Sequence, residues 1–370
     1  MKKQKVIASI LVGSCLSAAS ACDFKKSPIE ILTPTENEVV WTMIDKAKDY
    51  LDGFLGSNVT WYCGNPTPDN AYKAVAITWA CSDERAISFK VEYATKQDYS
   101  DAIFEIVDAT ENTISIYNLF KGTQYYVRIT GLGANGEDLF HSTSTFTTTN
   151  QGPRVMKVDG IYNVRDLGGY ETETGKTTVQ GILYRGGSLR PLDIYDSYLT
   201  EEGAQYMSET MNIKMEIDIN GGGEAIIPGT TVYGGPNINA YTGAFTHSDA
   251  YKEFFALLAD KDNYPIYFHC TGGADRTGTL SFLLNAMLGV SEKNCIQDYE
   301  FTSFSVYGER NSQTGIYATQ YFGPFLTQLK TYKGDTLQEK TENYLLSIGV
   351  TQEQIATIKA IMYGETQISV

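Results

Sequence analysis

Tyr264-Pro265-Ile266-Tyr267-Phe268-His269-Cys270-Thr271-Gly272-Gly273-Ala274-Asp275-Arg276-Thr277-Gly278 is the stretch on which the reading of this chain turns. Ile266-Tyr267-Phe268 reads as a compact apolar strand, and the nearly all-apolar run Thr279 to Val290 predicts a helix buried on most faces. A strand, a tight glycine-containing loop and a buried helix put a ring of backbone N–H groups at a helix N-terminus, an arrangement that binds dianions. Cys270 stands at the foot of the loop and Arg276 closes it. That spacing lets Thr271-Gly272-Gly273-Ala274 curl round one phosphate while the Arg276 guanidinium grips two of its oxygens.

The residue types fit one chemistry. A free thiol is mostly protonated at neutral pH, but loop amides, the helix dipole and a nearby arginine stabilise the thiolate. A thiolate so placed attacks phosphorus in line and gives a phosphocysteine that water then hydrolyses. The amides and Arg276 spread the transition-state charge. Thr277 is placed to hydrogen-bond the sulfur, and His269 to orient the loop through its ring nitrogens. The pattern calls for no metal and no cofactor. Cys295 lacks any such setting and reads as a core thiol.

Further motifs extend the pattern. Asn163-Val-Arg165-Asp166-Leu-Gly168-Gly169-Tyr170 precedes Gly181-Ile-Leu-Tyr184-Arg185-Gly-Gly-Ser188, with Asp298-Tyr299 after the loop helix and Ile348-Gly349-Val350-Thr351 near the end. With the loop, these make residues of about 155 to 365 resemble a bacterial tyrosine-phosphatase-like family. That family carries an H-C-x-x-G-K-D-R-T-G loop and an opening N-x-R-D-L-G-G signature. The resemblance implies an α/β domain, residues 150–370, with a mostly parallel central sheet flanked by helices. It implies a hydrolase of phosphate monoesters, with a phosphorylated protein or a small phosphate monoester as substrate. It also implies Asp275, just before the arginine, as general acid, the alternative being an ionised partner that orients Arg276; Asp166 ranks second as acid and Asp218 third. Asn163, Arg165 and Arg185 either lie near the pocket or serve as turn and strand anchors.

Two departures from the family bear on substrate. Ala274 stands where a lysine is common, which tilts the expectation from polyanionic inositol phosphates or phosphoinositides towards phosphotyrosine. Asn220, in Glu216-Ile-Asp218-Ile-Asn220, replaces an arginine, so a structural ion pair or substrate contact made there is lost or relocated. A phytase-like activity, and a non-catalytic protein that only recognises phosphate, stay open as alternatives.

Upstream the texture changes. Lys2, Lys3 and Lys5, the apolar run Val6 to Gly13 and the small residues Ser17 to Ala21 before Cys22 have the layout of a secretory signal. Cys22 resembles a bacterial lipoprotein cleavage site, so residues 1–22 predict export and a membrane anchor through lipid on Cys22, on the periplasmic or cell-surface side. Cleavage after Ala19-Ser20-Ala21, and lipidation at Cys15, are the rivals. Residues 23–58 read as a linker with one amphipathic helix (Val40, Ile44, Ala47, Leu51, Leu55). Residues 59–149 alternate as short strands, for example Ile87, Phe89, Val91 and Tyr93 on one face. Trp79 and Leu119-Phe-Lys-Gly-Thr123-Gln-Tyr125 make this region resemble a fibronectin type III sandwich. Cys63 and Cys81 either pair or remain thiols.

Composition bounds the rest. With 370 residues, 42% hydrophobic, the chain has room for two or three ordinary cores. A formal charge of −15 from 29 Lys+Arg and 44 Asp+Glu argues against general nucleic-acid binding, because phosphate would be repelled. Three scattered His argue against a His-rich metal centre.

Overall fold

A computed structural model describes residues 27–53, 56–63, 71–235 and 237–368. The leader and Cys22 lie outside the described residues. The chain forms two compact units that alternate along it. One takes the described residues through Thr42 and Ala74–Thr149, the other Met43–Lys73 and Asn150–Val370.

The first unit holds β1 (Ile29–Thr33), β2 (Glu38–Val40), β3 (Val75–Cys81), β4 (Ser88–Ala94), β5 (Ile103–Asp108), β6 (Thr113–Ile116), β7 (Gln124–Leu132) and β8 (Asp138–Thr148). They make a three-stranded sheet β1-β3-β6 and a five-stranded sheet β2-β8-β7-β4-β5, antiparallel but for β2 beside β8. Inward positions of both sheets, among them Ile77, Trp79, Phe89, Val91, Val127, Ile129 and Phe146, share one apolar core. The expected alternation holds at Phe89 and Val91, whereas Ile87 precedes the strand and is 51% exposed. On the opposite face of β4, Glu92 is buried beneath Arg128 and Lys90. The boundaries read from sequence differ from the observed units. Strands begin at Ile29, inside the expected linker, and the described residues 59–63 and 71–73 join the second unit, Val59–Trp61 as a helical turn.

In the second unit β9 (Arg154–Val155), β10 (Arg165–Asp166), β11 (Leu183–Gly186), β12 (Met215–Asp218), β13 (Thr231–Tyr233) and β14 (Ile266–His269) form one sheet in the order β13-β12-β14-β11-β10-β9. The first four in that order run parallel, and β10 is antiparallel to both of its neighbours, β11 and β9. Its helices are α1 (Asp45–Asp52), α2 (Glu201–Gln205), α3 (Gly243–Thr246), α4 (Ser248–Leu258), α5 (Arg276–Met287), α6 (Glu292–Glu300), α7 (Gly315–Gln320), α8 (Phe322–Leu329), α9 (Leu337–Ser347) and α10 (Gln352–Met362). Strand periodicity sends Ile266 and Phe268 to one apolar cluster and Tyr267 to the other, so both faces of the sheet are covered. Every residue of α5 from Thr277 to Met287 is buried, as its apolar run requires. Among the described residues no helix is long and apolar enough to cross a membrane.

Candidate active site

The loop from Cys270 to Arg276 leaves the carboxyl end of β14 and enters α5, where ligands bind in open parallel sheets. Cys270 is 3% exposed at its foot. Three loop carbonyls are gripped from outside: Thr271 O accepts from Ser188 N at 2.9 Å, Gly272 O from Asn163 Nδ2 at 2.9 Å, and Gly273 O from Arg185. A trans peptide points its N–H opposite to its C=O, so these anchors aim the amides of Gly272, Gly273 and Ala274 into the concave side. Among the described residues, no amide from Thr271 to Arg276 donates to another group of the chain. Gly273 makes the tight path possible. Its φ is +63°, and a Cβ there would lie 2.3 Å from Gly186 O. Arg276 opens α5, its guanidinium 3.5 Å from Thr271 Oγ1. The Thr277 hydroxyl is buried and has no hydrogen-bond partner among the described residues, so a bond to sulfur is not made in this state.

Behind the loop lies a buried cationic floor. Arg165 and Arg185 are 1% and 0% exposed and share one carboxylate, Asp298. Arg185 donates to Asp298 Oδ2 at 2.7 Å and Arg165 to the Asp298 carbonyl and Thr302 Oγ1. Burial, with Arg185 beside it, lowers Arg165 to about 9. Two guanidiniums against one carboxylate leave surplus positive charge under the anion cradle, the sign that favours a bound phosphate. Asn163 and Arg185 therefore touch the loop as well as serving as anchors, and Arg165 joins them through Asp298 and Thr302. Asp166 does not. It is fully buried and pairs in register with Tyr184, at the level of Tyr267. Its oxygens accept from Arg154 at 2.7 Å and from the amides of Gly168 and Gly181. This is an anchor for the β10 turn.

Asp275 has a partner that its sequence neighbourhood does not reveal. Arg310 grips both carboxylate oxygens, Nε to Oδ1 at 2.7 Å and Nη2 to Oδ2 at 3.0 Å, and Tyr241 donates to Oδ1. The Asp275 side chain stays 38% exposed while Arg310 is 12% exposed. Asp275 thus orients against Arg310, not Arg276. The neighbouring carboxylate raises Arg310 above its ordinary value despite burial, which pulls the other way. On the loop's opposite flank His269 Nε2 donates to Glu216 Oε1 at 3.0 Å, and Nδ1 lies 3.3 Å from Cys270 O. Arg190, also missed from sequence, bridges Glu216 at 3.2 Å and Asp218 at 3.0 Å. Arg190 thus supplies an ion pair to Asp218 that Asn220 cannot make. Asn220 instead donates to Asp218 Oδ1 and accepts from Thr271 Oγ1 at 3.3 Å. Glu216, Asp218 and His269 cluster as a cation site would, and the Arg190 guanidinium is the cation placed among them.

Ala274 is buried, and the Tyr307 ring lies against Gly272, where an added Cβ would meet it at 2.9 Å. Tyr195 meets Tyr307 edge-on at 4.9 Å. Burial pushes the Tyr307 hydroxyl up to about 12. Cys63 and Cys81 are both free thiols.

A family model described as the tyrosine phosphatase family matches residues 156–364. A chain named a tyrosine-protein phosphatase from Cupriavidus necator is 28% identical over 183 residues, 40% of this chain and 63% of that protein. A tyrosine-protein phosphatase of Nostoc commune is 26% identical over 142 residues, 32% of this chain and 47% of that one. The match therefore spans less than two thirds of either relative. The core catalytic domain of the PP-IP phosphatase SIW14 from S. cerevisiae is similar at 16% identity, covering 40% of this chain and 81% of that chain, with a TM-score of 0.29.

Proposed function

This chain belongs to the tyrosine phosphatase family, and from that premise we propose that it hydrolyses phosphate monoesters through a phosphocysteine on Cys270, with protein phosphotyrosine as substrate. One observation carries the reading: the outward-held carbonyls of Thr271, Gly272 and Gly273, which leave an unspent row of amides above the nucleophile.

The substrate phosphate sits in that row with Arg276 across two of its oxygens. Cys270 Sγ attacks phosphorus as the bond to the leaving oxygen breaks, and Asp275, carrying a proton, delivers it to that oxygen. Water then attacks the phosphocysteine, Asp275 as carboxylate takes its proton, and the P–S bond breaks to return the thiolate. The state described here, with both Asp275 oxygens accepting hydrogen bonds, is the form the second step uses. Thr277, with its unpartnered hydroxyl, is the group available to the departing sulfur. The burial of Asp166 and its three-donor cage weigh against it as the acid.

Aryl phosphate is supported by the Tyr307 and Tyr195 rings beside the loop and by Ala274 in place of a lysine. The first unit is proposed to be a fibronectin type III-like module. Supporting this, Trp79, Leu119 and Tyr125 lie in its core, and Tyr125 accepts from Phe120 N at 2.8 Å near the start of β7. Export with lipid on Cys22 rests on the Lys2-to-Cys22 layout alone.

The test is turnover of a phosphotyrosine peptide against inositol hexakisphosphate with chelator present. Cys270→Ser should abolish turnover and retain substrate capture. Activity surviving that change refutes the assignment, and preference for the inositol phosphate overturns the substrate.

A further inference from the structure

The loop that carries Arg310 is fastened by a short stretch near the beginning of the chain. Asn311 is 1% exposed, and its Nδ2 donates to Asn58 Oδ1 at 2.8 Å, Thr60 Oγ1 at 2.7 Å and Thr314 Oγ1 at 2.7 Å. Thr60 Oγ1 donates to Glu309 Oε1 at 2.6 Å, and Gln313 Nε2 to Ser57 O at 2.9 Å. Val59, between these anchors, is fully buried. Deeper in, Tyr50 on α1 donates to Glu300 Oε2, while Glu300 Oε1 accepts from Ser312 N at 2.8 Å and Ser312 Oγ at 2.6 Å. The Tyr50 ring packs edge-on against Phe301 at 6.0 Å and beside Phe304 at 5.8 Å.

This fastening bears on Arg310 because the loop backbone itself cages the guanidinium. Nη1 donates to Tyr307 O, Gly308 O and Glu309 O, and the head lies 4.8 Å from the Tyr317 ring centroid. A guanidinium held by the carbonyls of its own loop is placed only while that loop keeps its curl. A buried amide and a buried carboxylate that lose partners cost more than the bonds they make, so the contacts stand or fall together.

We infer that Tyr50, Asn58 and Thr60 are positioning residues of the active site: they fix the Glu309–Thr314 loop and, through Arg310, the place of Asp275. The stretch of about 45–63 is then a working part of the catalytic unit, although the sandwich strands β3 to β8 separate it in sequence from the rest. The inference rests on Asp275 acting as acid and base.

The experiment uses the full chain with Thr60→Val and Tyr50→Phe, each also combined with Arg310→Lys. Values of kcat/KM are read for phenyl phosphate and nitrophenyl phosphate, which differ in their need for an acid. Amide hydrogen exchange is followed across residues 309–314 and the Asp275 turn. The expected result for Thr60→Val is a loss of between about 10- and 100-fold on phenyl phosphate. The loss on nitrophenyl phosphate should be smaller, and adding the change to Arg310→Lys should bring no further loss. Equal losses on both substrates, or losses that multiply with Arg310→Lys, overturn the inference. So does wild-type behaviour in both single variants. Should the wild-type chain turn over neither ester, the functional reading fails and exchange alone decides. Faster exchange through 309–314 and at Asp275 in both variants then supports the brace, and unchanged exchange overturns it.

Discussion

Asn163→Asp isolates one donor of the cradle. Asn163 sits at φ 63°, a left-handed conformation that asparagine and aspartate both tolerate, so the backbone is spared. Thr302 Oγ1, 3.3 Å from Asn163 Nδ2, can turn and donate to the new carboxylate. What changes is the bond to Gly272 O, where a donor at 2.9 Å becomes an acceptor facing an acceptor. Leaving that carbonyl unpartnered costs about 1–3 kcal/mol. The chain relieves the clash by turning the Gly272–Gly273 peptide, which takes the Gly273 amide out of the anion site. Loss of one such donor lowers kcat by about 10²–10³, or roughly 2.7–4 kcal/mol of transition-state stabilisation. The assay is steady-state turnover of an aryl phosphate, with thermal unfolding as a control for folding. The effect should fall on kcat more than on KM, because the donor matters most when charge develops. A variant that folds and keeps kcat within about threefold of wild type, some 0.65 kcal/mol, refutes the idea that this anchor aims a catalytic amide.

Other outcomes follow from the same geometry. Gly273→Ala combines a positive φ with a Cβ 2.3 Å from Gly186 O, two backbone conflicts, so it should abolish phosphate protection in a thermal-shift assay as well as activity. Burial raises Glu300 above its ordinary 4.5. Its contribution to stability is therefore full below that value and is lost as pH rises through the folded value, so Glu300→Gln should flatten the fall in unfolding stability from acid towards neutral pH. Alkylation near neutral pH, mapped by mass spectrometry, should spare Cys63, which burial raises to about 11, and Cys295, which burial also raises. Cys270 should be modified, and phosphate should protect it.

The loop was legible because its parts are local. Strand, glycines and buried helix lie within about 25 consecutive residues, and the apolar run to Val290 could only be an enclosed helix. Trp79, Leu119 and Tyr125 likewise marked their core, since alternation with a large aromatic needs an interior. Arg310 was not legible. It joins Asp275 across 35 residues and comes from a stretch with no periodicity, so no local pattern announces the pair. Arg190 was hidden for the same reason, and from Asn220 the sequence signalled only that an ion pair or substrate contact had been lost or moved. Residues 59–63 read as part of the sandwich by proximity in sequence, whereas the partners of Thr60 lie about 250 residues away, at Glu309 and Asn311. Contacts of that range leave no local pattern to read.

The most direct measurement is a rapid acid quench of the full chain during turnover of an aryl phosphate, followed by peptide mapping of the bound phosphoryl group. Phosphate carried on Cys270, absent in Cys270→Ser and accumulating in a burst when Asp275 is changed to Asn, is the predicted result. Phosphate on another residue, or steady turnover with Cys270 never phosphorylated, would contradict the mechanism.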